Sequence, residues 1–296
     1  HHDGRRIVYI VLLCLAGPVP GSSTISGAGP VAMIQNPVER GPAEQAPRLA
    51  DFFDLVTLDV TDSTNRYARE LAMDGAVEGT LVWARSQGAG RGRRGRDWAS
   101  PPGNMYASLI LRPDCAPATA AQISFVTALA IRDAVSEFLS GDHIAQLKWP
   151  NDVLVGSNKI AGILLESQLL KGSELDWLVV GTGVNIQSYP DNVERPATSL
   201  RALDSAVDVA RFVESYAAHM LIWYGTWQHM GFAPVRRAWL EHAWGQGGPV
   251  EVRLGTEVFQ GVFEDLDETG ALVVGTAKET RLVSAGDVFP LTGEDG

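Results

Sequence analysis

Gln87–Trp98 reads Q-G-A-G-R-G-R-R-G-R-D-W: four arginines (Arg91, Arg93, Arg94, Arg96) are set among four glycines (Gly88, Gly90, Gly92, Gly95), and a tryptophan closes the run. Glycine lets a backbone turn tightly and come close to a ligand. Arginine offers a planar fork that matches carboxylate and phosphate oxygens. A loop of this composition wraps a small anion. The chain around it is acidic, with a formal net charge of -11 over 296 residues. Four cations concentrated on such a background mark a local task, not a general affinity for polyanions.

Outward from the loop, Thr80–Arg85 on one side and Asn104–Arg112 on the other read as strands. That placement favours an ordered ligand loop over a solvated Arg/Gly segment or an RNA-contacting arm. Further upstream, Asp54–Val60 reads as a strand and Asp62–Asp74 as a helix, with Asp62 or Ser63 as N-cap and Tyr67, Ala68, Leu71 and Ala72 on one face. Downstream, Thr119–Leu139 reads as one long helix opened by a Thr119-x-x-Gln122 capping box. Strands follow at Ile144–Lys148, Asp152–Val155, Lys159–Gln168 and Leu175–Asn185, then helices near Val207–Gln228 and Pro234–Trp244. After Gly245-Gln246-Gly247-Gly248-Pro249, short β runs at Val250–Leu254, Glu257–Leu266, Ala271–Thr276 and Glu279–Ser284 predict a small antiparallel barrel.

Three other segments carry chemistry. Asp62-Ser63-Thr64-Asn65 begins a helix, where hydroxyls and free N–H groups hold a polar ligand group or simply cap the helix. Lys148-Trp149-Pro150-Asn151-Asp152, with Lys159 beyond it, supplies two cations and the oxygen ligands magnesium prefers when it bridges phosphates; Pro, Asn and Asp also suit a plain β-turn. Gly181-Thr182-Gly183-Val184-Asn185 ends an apolar strand, where bare backbone admits a flat ligand and Asn185 both donates and accepts, as adenine recognition requires. A β-bulge or a close strand crossing uses the same glycines. There is no G-x-S-x-G, no Cys/His pair and no P-loop. The inventory suits bringing two anions together and stabilising a transferring phosphoryl group.

Hydrophobic residues at 45% and charged residues at 20% place the chain among globular proteins with a sizeable core. Two distant cysteines and six histidines without an H-x-x-x-H pair give no support to a disulfide scaffold or a zinc hydrolase, and they fit a reducing, cytoplasmic compartment. The apolar run Ile7–Ala16 after Arg5-Arg6 is too short to span a bilayer, so no membrane association is expected. Residues 1–32 read as an upstream extension with a start near Met33, against an export signal cleaved after Ala16. The expected organisation is a linker-like extension without fixed structure over 1–50, a catalytic domain over 51–246 and the barrel over 247–296.

Taken together, D-S-T-N at 62–65, G-R-G-R-R-G-R-x-W at 90–98, K-W-P-N-D at 148–152, K-I-A-G-I-L at 159–164 and G-x-G-x-N at 181–185 closely resemble biotin protein ligases from about residue 54 to 290. The resemblance implies an α+β fold: a catalytic domain like that of class II aminoacyl-tRNA synthetases, a mixed sheet with flanking helices, plus an SH3-like C-terminal barrel. It implies activation of biotin by ATP with Mg2+, and transfer to one lysine of a biotin carboxyl carrier protein. By position, Ser63, Thr64, Gln87, Gly90 and Arg91 resemble biotin contacts, with Gly162, Gly181 and Gly183 as pocket lining. Lys159 resembles the catalytic lysine at the biotin carboxylate and α-phosphate, and Arg93 the loop arginine that guards the adenylate. Trp98, Asn151 and Asn185 fall on the ATP side, and Asp152 on the metal. No DNA-binding helix-turn-helix is visible, so no DNA partner is expected; a homodimer fits equally with a monomer. The rival reading is a lipoate or octanoate ligase, from which the arginine loop distinguishes the chain.

Overall fold

The computed structural model describes residues 46–170, 174–191 and 196–291, together with the backbone of Ile7–Val8. Most of the extension expected over 1–50, including both readings of its first 32 residues, therefore lies outside the described residues. Ile7–Val8 (β1) pairs antiparallel with Gln168 and Ser167.

The large sheet is built from β2 (Asp54–Thr61), β3 (Thr80–Gln87), β4 (Met105–Leu111), β5 (Ala145–Lys148), β6 (Asp152–Val155), β7 (Asn158–Leu169) and β8 (Leu175–Val184). The order is β2-β3-β4-β8-β7-β6-β5, with β1 added to β7. Only β2 and β3 run parallel among these pairs; the others are antiparallel, so the sheet is mixed. Side chains alternate between its faces as the two-residue period requires. Val82, Ile110, Trp177 and Val179 pack on Ala68 and Ala72 of α1 (Thr64–Met73). Their neighbours Leu81, Trp83, Leu109, Leu178 and Val180 face the larger core, with α3 (Ile123–Phe138), α4 (Val209–Met230) and α5 (Phe232–Glu241). Burial on both faces explains why these strands read as nearly unbroken apolar runs.

The expected helix over 119–139 is in fact two. A short α2 (Pro117–Ala120) ends in a turn, and α3 starts at Ile123. The capping box does not form, because the Gln122 amide is used elsewhere: its Oε1 accepts from Trp227 Nε1 at 3.0 Å, fastening the turn to α4. Ser63 does occupy the N-cap position of α1, but its side chain makes no capping bond, while Asp62 pairs with Arg66 at 3.2 Å.

The C-terminal unit is a five-stranded antiparallel sheet in the order β12-β11-β10-β9-β13. Its strands are β9 (Pro249–Leu254), β10 (Glu257–Leu266), β11 (Leu272–Gly275), β12 (Thr280–Val283) and β13 (Asp287–Pro290). The last strand was not foreseen; Asp287-Val-Phe-Pro290 is too short and mixed to stand out. Val250, Val252, Phe263, Leu272, Val274 and Val288 fill its interior, which is continuous with the core of the large domain. Trp149 Nε1 donates to the Gly270 carbonyl at 3.2 Å, and Arg236 Nη2 pairs with Asp265 at 2.6 Å. The small sheet is therefore clamped to the large one rather than tethered to it.

Candidate active site

The sheet opens a cavity of about 710 Å3 at one end of β3, β7 and β8. The residues matched to ligand contacts line it: Ser63 and Thr64 from the start of α1, Gln87 from the end of β3, Gly90, Arg91, Arg93 and Trp98 from the loop, Asn151, Asp152, Lys159 and Gly162 from the β5–β7 region, Gly181 and Gly183 from β8 and Asn185 just past it. Lys148, the other cation of its segment, does not, being buried against Trp244 and Phe289.

The inner end is polar and prebuilt. The Thr64 N–H donates to Gln87 Oε1 at 2.8 Å, and Gln87 Nε2 donates to Ser100 Oγ at 2.8 Å. Behind them, the Ser108 hydroxyl donates to Asn65 Oδ1 at 2.6 Å and lies 2.8 Å from Thr64 Oγ1. Asn65 Nδ2 donates to Glu166 Oε2 at 2.9 Å, and Arg69 closes the chain 3.6 Å from that carboxylate. Thr64, Asn65, Ser108 and Glu166 are all buried. A buried polar group without a partner is costly, so the bonds among Thr64, Gln87, Asn65, Ser108 and Glu166 hold Thr64 and Gln87 in one arrangement, while the buried Arg69 Nε makes no hydrogen bond. Gly181 lies directly beneath the Asn65 amide, where any side chain would collide with it.

The floor is bare backbone under an indole. A Cβ at Gly183 would come 2.6 Å from Trp98, and one at Gly162 would come 3.1 Å from both Trp98 and Lys159 Nζ. The Lys159 ammonium sits 5.2 Å from the Trp98 ring centroid and pairs with Asp152 Oδ1 at 2.6 Å. Trp98 thus rests on Gly162 and Gly183 themselves. Asn185 is buried, and its Nδ2 donates to the Thr198 carbonyl at 3.0 Å, tying the end of β8 to the 196–200 segment.

The rim is cationic. The loop is a narrow hairpin: the backbones of Arg91 and Asp97 form an antiparallel β-bridge, Gly92 N–H donates to the Arg96 carbonyl at 2.7 Å and Trp98 N–H to the Gly90 carbonyl at 2.9 Å. Its tip turns through Arg94 at φ 56° and Gly95 at φ 71°. Left-handed backbone costs an arginine about 1–2 kcal/mol, whereas glycine adopts it freely. Arg93 Nη1 donates to Asn151 Oδ1 at 2.9 Å. Below the loop, burial pushes the Tyr106 hydroxyl up to about 12, against a smaller lowering by Asn104. It stays protonated and donates to the Pro101 carbonyl at 2.7 Å, fixing the root of the loop.

Asn151 and Asp152 can face a nucleotide's phosphates. Among the described residues no group of three or more His, Cys, Asp or Glu is poised for a metal. A single buried carboxylate fits a magnesium ion that arrives already bound to phosphates, since magnesium keeps most of its ligands as waters and phosphate oxygens.

Sequence reasoning did not assign Asn65, Ser108, Glu166, Ser100 or Asp287. Glu166 did carry a signal: it is a lone carboxylate in the apolar run I-L-L-E-S. Asp287 carried none.

The pattern of the biotin/lipoate A/B protein ligase family matches residues 57–185, and that of the biotin protein ligase C-terminal domain matches 247–289. A biotin–[acetyl-CoA-carboxylase] ligase of Paracoccus denitrificans is 41% identical over 77% of this chain and 97% of its own length. A bifunctional ligase/repressor of Bacillus subtilis is 32% identical over 79% of this chain and 73% of its own. The structure of an Aquifex aeolicus biotin protein ligase in complex with biotin and ATP superposes with a TM-score of 0.67 at 25% identity, covering 80% of this chain and 97% of that one. The fold is accordingly the mixed-sheet catalytic domain with an SH3-like C-terminal domain expected from the sequence. On these findings the chain belongs to the biotin/lipoate A/B protein ligase family, within its biotin protein ligase branch.

Proposed function

We propose that the chain condenses biotin with ATP to biotinyl-5′-adenylate and pyrophosphate, and passes the biotinyl group to one lysine of a biotin carboxyl carrier domain. The observation that carries this is the sequence of environments along one cavity: a buried hydrogen-bonding end, a bare-glycine floor and an arginine rim. A neutral polar ring system matches the first, a flat bicyclic body and its aliphatic chain the second, and phosphates the third.

Ser63, Thr64 and Gln87 hold the polar ring of the acid, with Gly90 and Gly181 setting the depth of the pocket. Gly162 and Gly183 give the acid bare backbone to lie against once Trp98, which rests on them, has moved aside, and Trp98 then stands on the nucleotide side. The acid's carboxylate then faces Lys159. One carboxylate oxygen attacks the α-phosphorus; the bond from that phosphorus to the bridging oxygen breaks, and pyrophosphate leaves. Two anions must approach for this step, and Lys159, Arg91 and Arg93 offset their repulsion. Asn151, Asp152 and Asn185 face the nucleotide, and a magnesium ion held at Asp152 would neutralise phosphate charge. In the second step the free amine of the carrier lysine attacks the acyl carbon, AMP leaves with the electron pair, and the ammonium proton passes to solvent. The mixed anhydride between the steps is open to hydrolysis, so a loop that shuts water out protects it.

The arginine rim and the C-terminal domain favour this over lipoate or octanoate activation. We also propose that the chain acts without a DNA partner, since a net charge of -11 opposes a phosphate backbone. No helix among the described residues is long and apolar enough to cross a membrane. The cytoplasm, where ATP and carrier domains meet, is the proposed compartment. The test is transfer of labelled biotin to a carrier domain with ATP and magnesium. Label is expected on one carrier lysine, dependent on ATP and lost when that lysine is changed to arginine. Absence of ATP-dependent label overturns the reading.

A further inference from the structure

We propose that Asp287, on the last strand of the C-terminal domain, is a positioning residue that latches the arginine loop over the reacting groups. The proposal rests on the function given above. Arg94 Nη1 and Arg96 Nη2 both reach Asp287 Oδ2, at 3.1 and 2.9 Å. The Asp287 side chain is only 10% exposed, so these pairs are screened less than ordinary surface ones. Just before them in sequence, Arg93 donates to the Gly286 carbonyl at 3.4 Å and to Asn151 Oδ1 at 2.9 Å. The hairpin tip thus touches the small domain at two consecutive residues and the phosphate-facing turn at a third.

Three further facts give this contact a purpose beyond packing. Four arginines within six residues repel one another, and a carboxylate seated between two of them offsets that repulsion. Arg94 holds a left-handed backbone conformation that a non-glycine residue leaves unless something retains it. Asp287 itself is held: its backbone lies opposite Arg253 in the β13–β9 ladder, and two residues on, the Phe289 ring lies 5.3 Å from the buried Lys148 ammonium at the base of the same turn. The latch is therefore anchored to a paired strand at one end and to the charges of the loop at the other. Arg94 and Arg96 are committed to Asp287, which leaves Arg93, aimed at Asn151, to face the phosphates. In this account the C-terminal domain acts on the chemistry by setting how long the loop stays closed.

The experiment uses the full chain with biotin and ATP. It measures how fast biotinyl-adenylate escapes from the enzyme and how fast trypsin cuts within residues 91–96. Asp287→Asn should speed escape about tenfold, the effect of losing charge-assisted bonds discounted for partial exposure, and should speed cleavage. Asp287→Glu should restore most of the retention. Arg94→Ala with Arg96→Ala should match Asp287→Asn in escape rate, and adding Asp287→Asn to that pair should change it less than about twofold, because the partners act as one unit. Escape and cleavage at wild-type rates in Asp287→Asn overturn the proposal. So does a full Asp287→Asn effect in the double-arginine background, which would mean damage to the small domain. If Asp287→Asn does not fold, the double-arginine variant decides alone: faster escape supports the latch and wild-type escape overturns it. If wild-type protein makes no adenylate, the function fails, but trypsin cleavage of Asp287→Asn against wild type still reads the latch, faster cleavage supporting it and equal cleavage overturning it.

Discussion

The two ends of the cavity are built in opposite ways. At the inner end, Thr64, Asn65, Ser108 and Glu166 are buried, with partners already in place from α1, β4 and β7. At the rim, Arg94 and Arg96 have side chains 30% and 49% exposed and are held from outside by a residue of another domain. The inner end resembles a core and can select a neutral polar ring by fixed hydrogen bonds. The rim resembles an interface and can open to admit a nucleotide and an acceptor lysine. Selection and access are thus assigned to opposite ends of one cavity.

The largest expected effect falls where the two ends meet. Lys159→Ala removes the cation proposed to face both anions and takes from buried Asp152 its 2.6 Å ion pair. Acyl-adenylate formation, followed by pyrophosphate exchange, should fall ~10²-fold or more. A near-normal exchange rate would remove Lys159 from the mechanism. Next comes Gly181→Ala at the prebuilt end, where the new methyl strikes Asn65. Overpacking of this kind costs about 1–3 kcal/mol, so a lower melting temperature and weaker biotin binding are expected together. Unchanged biotin affinity would show that the inner chain does not position the acid.

At the rim, Arg93→Gly should leave folding intact and loosen the hold on the intermediate. Labelling of lysines on bystander proteins should rise several-fold, in line with the loss of one or two charge-assisted bonds; unaltered acceptor selectivity would argue that Arg93 does not guard the adenylate. The smallest effect serves as a control outside both ends. Glu137 on α3 is held below its ordinary 4.5 first by the Ser215 hydroxyl, at 2.6 Å, and then by His219. A depressed carboxyl adds stability that is present above 4.5 and lost as pH falls through its folded value. Glu137→Gln should therefore flatten the acid side of the stability profile and leave ligation unchanged. A change in biotin affinity would mean that the inner end is coupled to the helical layer.

The same contrast governs what the sequence made legible. Strands buried on both faces announce themselves as apolar runs, so β3, β4, β7 and β8 were readable to within a few residues. The cavity residues were readable because glycine and arginine are used there for properties no other residue has. The break between α2 and α3 was not, because it depends on Gln122 finding Trp227 more than a hundred positions away. Asn65, Ser108 and Glu166 form one chain only once three separate elements are side by side. Asp287 and β13 were invisible for the same reason: one aspartate in a short mixed segment acquires meaning only through two distant arginines.

The central claim is that one cavity joins biotin to a nucleotide beneath the arginine loop, and acceptor-free exchange of labelled pyrophosphate into ATP tests it most directly. Exchange should depend strictly on biotin, and lipoate or octanoate should support little of it. No exchange with biotin, or equal exchange with lipoate, would contradict the account.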